Sequence, residues 1–107
     1  MQVEKYFDVK VEFYKTNSAR KNGEVTKTYY IPVLMTPYLS TIERAQAIKA
    51  GTKDDNGNKR TSASAAGERK QIMDKVFKEV QNMALDCVRQ TIGHDGVLVA
   101  YEPKLSK

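Results

Sequence analysis

The chain has 107 residues, 40% of them hydrophobic and 29% charged, the balance of an ordinary soluble domain; its length excludes a second domain beside the one expected over residues 1–107. One cysteine excludes a disulfide framework, no apolar run approaches the ~18 residues of a membrane span, and Met1 to Lys5 carry no apolar signal stretch, so a cytoplasmic protein away from membranes is expected. Eighteen Lys and Arg against thirteen Asp and Glu leave a net charge of +5, a bias toward polyanionic partners.

From Val3 to Lys15 the residue types alternate with period two. Val3, Phe7, Val9, Val11 and Phe13 fall on one side and Glu4, Tyr6, Asp8, Lys10, Glu12 and Tyr14 on the other, as in a half-buried strand. The polar stretch 15–23 ends in Asn22-Gly23 and predicts a hairpin loop longer than the tightest types. A second strand follows from about Glu24 to Met35, with Val25, Tyr29, Ile31, Val33 and Met35 inward and Thr26, Thr28 and Tyr30 outward. The loop length favours a register that sets Phe13 by Val25 and Asp8 by Tyr30, which makes Tyr6 and Tyr30 diagonal neighbours. Pro32 cannot donate to a ladder, so the second strand is an edge and the first is central.

Thr36-Pro37 ends the strand. Ser40-Thr-Ile-Glu43 has the spacing of a capping box and predicts a helix from Thr41 to about Ala50, with Gly51 as its C-terminal cap. Residues 51–67 are polar or small throughout and read as a long connection. The strongest signal is a helix from about Glu68 to Ile92. Ile72, Met73, Val76, Phe77, Val80, Met83, Ala84, Cys87, Val88 and Ile92 form one wide apolar stripe along it. Gly93 and the turn His94-Asp95-Gly96 end this helix, and Val97 to Tyr101, apolar on both faces, forms the last strand before Pro103. The expected fold class is α+β: a three-stranded, mainly antiparallel sheet in the order β-β-α-α-β, with one long and one short helix on one face.

Catalysis needs groups that converge, and the chain has one His and one Cys. Cys87, within the helix stripe, reads as a small buried hydrophobe, and His94, after the helix stop, as a cap or surface residue. Asp54-Asp55-Asn56-Gly57-Asn58 gathers oxygen-bearing side chains around a glycine, but no starting point gives the glycine and bidentate glutamate spacing of a calcium loop, so it reads as a turn. No metal, no other cofactor and no catalytic residue is expected.

Two softer arrangements remain. Lys59, Arg60, Arg69 and Lys70 flank Thr61, Ser62 and Ser64 ahead of the long helix, where cations, hydroxyls and unpaired N–H groups meet a positive dipole end and suit a phosphate. The ordinary alternative is a solvated loop whose serine caps the helix. Tyr6, Tyr14 and Tyr30 share the outer sheet face with Lys10 and Thr28, in physical type like the platforms on which single-stranded bases stack. Glu4, Asp8 and Glu12 on that face oppose a phosphate backbone, and tyrosine is also a common strand former.

Three non-enzymatic functions follow. The first is a small basic accessory protein that binds nucleic acid, DNA or RNA. It contacts phosphates through a basic hairpin tip with Arg20 and Lys21 and through Lys59, Arg60, Ser62, Ser64, Arg69 and Lys70, with Tyr6 and Tyr30 as stacking rings. The second is a protein-interaction module, either a homo-oligomer or an inhibitor of another protein. The last strand has no edge protection before Glu102 and Pro103, so at least a dimer is expected, with Met73, Phe77, Val88 and Leu98 in or near the interface. The third is a binder of a small anionic nucleotide at the helix N-terminus.

Overall fold

β1 (Tyr6–Tyr14) pairs on both of its edges, and the sheet grows from it. In the computed structural model, which describes residues 5–93 and 95–105, β2 (Lys27–Leu34) lies antiparallel on one side of it. β3 (Val97–Ala100) and β4 (Lys104–Leu105) lie antiparallel on the other. The Met35 N–H donates to the Lys5 carbonyl and the Tyr101 N–H to that of Lys10. Odd residues of β1 therefore bond toward β2 and even ones toward β3, the pattern of a central antiparallel strand. Pro32 stands opposite Asp8, where a donor would point away from β1, so the proline blunts an outer edge without breaking a ladder bond. The architecture is α+β, with the strand order β2-β1-β3, and no helix of the described residues is long and apolar enough to cross a membrane.

The chain gathers into two compact units, one of Met1–Thr36 with Phe77–Lys107 and one of Pro37–Val76. In the first, Phe7, Val9 and Val11 on the odd face of β1 and Val80, Ala84 and Val88 on the helix α3 (Ser62–Ile92) are buried, and the rings of Phe7 and Phe77 meet edge to face at 6.2 Å. The second holds α2 (Leu39–Ala47), a hairpin at 51–60 and the start of α3, with Ala45, Ile48, Ala65 and Val76 buried.

Several local expectations are corrected. Residues 15–23 are not a bare loop: α1 (Asn17–Lys21) forms there, and the Thr16 hydroxyl accepts from the Ala19 N–H. Pairing thus resumes only at Lys27, and the register slips by two residues: Phe13 faces Lys27 and Asp8 faces Pro32. A two-residue slip keeps every side chain on its face, but it leaves Val25 exposed and parts Tyr6, now opposite Leu34, from Tyr30, now opposite Lys10. The capping box at Ser40 does not form, because a 3-10 turn over Thr36–Tyr38 that holds Pro37 starts the helical path early and puts Ser40 inside α2. A reciprocal cap appears instead at α3, where Thr61 Oγ1 accepts from the Ser64 N–H and Ser64 Oγ from the Thr61 N–H. With alanines at 63, 65 and 66 behind it, this cap starts the helix at Ser62 rather than Glu68. Cys87 and Met83 are exposed, since the buried line runs through Val76, Val80, Ala84 and Val88 at four-residue steps and passes both by. His94 lies outside the described residues.

Val80→Ala should cost about 2 to 4 kcal/mol as a transfer and cavity term, read as a lower denaturant midpoint. Gly96→Ala should destabilise as well, because Gly96 has φ +99° and an added Cβ would fall on the Phe13 ring and 2.7 Å from the Tyr14 carbonyl. An unchanged midpoint in both variants would overturn this account of the core.

Candidate functional site

The basic residues ahead of α3 have structural duties. Arg60 Nε lies 2.6 Å from Glu68 Oε2, and its Nη1 donates to Thr52 Oγ1 and to the Lys53 carbonyl, so a side chain only 13% exposed ties the 51–60 hairpin to α3. Arg69 Nη1 donates to the carbonyl of Ile48, the C-cap of α2, and satisfies one of that helix end's free acceptors. Ser64 is held in the cap with Thr61, and Lys70 pairs with Asp74 at 2.9 Å. Ser62 opens α3 and is exposed. Lys59 faces Lys53 across an isolated bridge, and the turn between them is closed by Asp54 Oδ1, which accepts from the N–H groups of Asn56 and Asn58. Arg20 and Lys21 are exposed in the last turn of α1. Of the residues read as a phosphate cradle, then, Arg60, Arg69 and Ser64 already have internal partners, and these same groups carried the small-nucleotide reading.

The even face of the sheet brings together what the sequence left apart. Tyr30 on β2 stands opposite Lys10 on β1, and Lys10 opposite Tyr101 just past β3, where the Lys10 Nζ sits 5.2 Å from the Tyr101 ring centroid. An aromatic–cation–aromatic row thus crosses three strands. Asp8, Glu102, Lys104 and Leu105 complete a groove of about 600 Å³ with these three residues. Tyr30 is 71% exposed and Tyr101 about half so. Tyr6 is half-buried opposite Leu34, outside this groove.

A bulge shapes the groove. Lys10 faces Tyr101 and Asp8 faces Lys104, so Val9 between them is matched by two residues, Glu102 and Pro103. Pro103 is buried and Glu102 exposed. The extra residue lets Tyr101 and Lys104, three apart in sequence, turn toward the same side. At the other end of the face Glu12 is only 8% exposed, against the expectation that it points to solvent. Val97, Val99 and Tyr101 share its face through the β3 register, and the Tyr101 hydroxyl bonds to its carboxylate. That hydrogen bond is the main cause that pushes Tyr101 up to about 12.

The signal for Tyr101 was present in the alternation of Val97, Val99 and Tyr101, but the face it joins depends on the register with β1. Of the expected interface residues, Leu98, Phe77 and Met73 are half-buried, while Val88 is buried within this chain and offers a second copy no surface. Among the described residues no group of three or more His, Cys, Asp or Glu is placed to hold a metal ion.

Glu12→Gln should lower the Tyr101 titration from about 12 toward 10.0, followed by NMR of the ring carbons. The folded-state value lies above the unfolded one, so the stabilisation from this contact is complete below pH 10 and fades as pH rises through 12. A Tyr101 midpoint unmoved by the substitution would dismiss Glu12 as the cause. Compared with known proteins, the chain matches no family model, no curated protein and no solved structure.

Proposed function

We propose that the protein is a non-enzymatic binder of single-stranded nucleic acid and that the open face of its sheet is the contact. The observation that carries this reading is the row Tyr30–Lys10–Tyr101 beside Lys104: two accessible rings flank a cation in a groove lined by residues of the strands and of the bulge between them. Unpaired bases stack on such rings whatever their sequence, and lysines between and beside them meet the phosphates. The net charge of +5 supports the encounter, and the exposed Arg20 and Lys21 on α1, after β1, are part of the positive charge outside the groove. Relative to the sequence reading, the contact moves from the segment 59–70 to the sheet, because Arg60 and Arg69 are held by Glu68 and Ile48.

Tyr30→Ala should weaken binding of a labelled single strand by about 1 to 3 kcal/mol, or about 5- to 150-fold, with the thermal midpoint unchanged because the ring is exposed. Lys104→Ala should lower the slope of log affinity against log salt by about one. Fluorescence anisotropy reads both, and no binding at low salt would end this reading.

A second reading, pairing with another copy, is favoured by the outer edge of β3. Leu98 and Ala100 turn their backbone groups away from β1, and among the described residues only the Ala100 carbonyl is met, by Gln81 Nε2 at 3.5 Å. Sedimentation equilibrium at micromolar concentration should then show a species of twice 12.1 kDa, and a single species of 12.1 kDa would rule it out.

A further inference from the structure

The groove carries two carboxylates that a simple phosphate-binding surface should not have. Asp8 and Glu102 are both exposed, both line the groove with Tyr30, Lys10, Tyr101 and Lys104, and neither carboxylate has a hydrogen bond or ion pair to another described residue. Asp8 faces Lys104 across the strands, yet no ion pair within 4.0 Å joins them. Glu102 stands in the bulge, an irregularity that recurs beside functional sites because it re-aims side chains.

Resting on the single-strand reading above, we propose that Asp8 and Glu102 read base edges, so that the groove selects bases with an exocyclic amine over thymine and uracil. An ionised carboxylate only accepts hydrogen bonds. Against a phosphate it is repulsive, so a backbone that follows Lys10 and Lys104 must present its bases, not its phosphates, to the two acids. Cytosine offers the N4 amine and adenine the N6 amine, and acidic side chains accept from such groups. Thymine and uracil present two carbonyl oxygens around one N–H, and each carbonyl would face a carboxylate with no proton to share. The tyrosine rings supply stacking that any base can use, whereas the acids discriminate. Affinity and selectivity thus sit on different residues of one groove, and different substitutions separate them.

The clean comparison is oligo(dC) against oligo(dT) and oligo(dU) of equal length, since all three are flexible pyrimidine strands and the uracil strand controls for the methyl group. By fluorescence anisotropy at fixed salt and neutral pH, oligo(dC) should bind at least about fivefold tighter than either, the lower end for one well-placed base contact. The double variant Asp8→Asn with Glu102→Gln should level that preference and bind oligo(dT) more tightly than the unmodified chain, because an amide can donate to a carbonyl and two negative charges are gone. Both side chains are exposed, and circular dichroism confirms that the variant is folded. Equal binding of all three strands by the unmodified chain, or a preference that survives the double variant, overturns this inference and leaves the single-strand reading standing. Binding to none of them overturns both.

Discussion

β1 has partners on both edges, so its pleat assigns the whole of its unit to two faces. Odd residues point to the side where Phe77, Val80, Ala84 and Val88 lie buried or half-buried, and even residues to the side that stays open around Asp8 and Lys10. Every partner inherits that division through its register: Tyr30 by pairing with Lys10, Val99 by pairing with Glu12, Lys104 by pairing with Asp8. A slip of one residue on either edge would send the groove residues into the core. The bulge at Glu102–Pro103 uses the same rule, since one extra residue restores to the open face a strand that would otherwise alternate away from it.

The charges are sorted by the geometry of their heads. Arg60 and Arg69, with planar forks, are half-buried and hold a carboxylate, a hydroxyl and two backbone carbonyls among them. Lys10, Lys53, Lys59 and Lys104 carry compact, strongly hydrated heads and stay exposed. A count of basic residues cannot tell these duties apart, and the arginines that looked most like a phosphate cradle are those the 37–76 unit uses for itself. The reciprocal Thr61–Ser64 cap has the same effect on Ser64, whose hydroxyl accepts from the Thr61 N–H and donates to the Thr61 carbonyl, so both of its roles are spent inside the cap.

What the sequence made legible was decided by period and by proline. The alternation of β1, the edge position of β2 at Pro32 and the long amphipathic α3 all rest on patterns spread over many residues, and each is present. The misreadings concern single residues whose state depends on a partner far along the chain. Cys87 follows Met83 at helical spacing, but the buried line through Val80, Ala84 and Val88 leaves both outside. Glu12 alternates as a surface residue should, yet Tyr101, 89 positions later, closes over it with a hydrogen bond. The expected diagonal contact of Tyr6 with Tyr30 failed because α1 takes up residues of the connection, and a loop's length on paper does not reveal a five-residue helix within it. The groove was legible only in part for the same reason: Tyr30 and Lys10 were on the correct face, while Tyr101 and Lys104 needed the register and the bulge.

The acids on the open face then acquire a physical sense. Within the groove Lys10 and Lys104 are matched by Asp8 and Glu102, so the site itself has no net formal charge and exerts little pull at distances beyond the ~10 Å screening length of ordinary salt. Long-range attraction must come from the rest of the chain, whose excess of five positive charges lies outside the groove. Encounter and discrimination are thereby divided: a diffuse positive field brings a polyanion near without regard to sequence, and a neutral groove of alternating donors and acceptors acts only at contact. A groove lined with lysine alone would hold any phosphate chain and distinguish nothing, whereas one with acids among its lysines gives up some affinity to make the orientation of the bound strand matter.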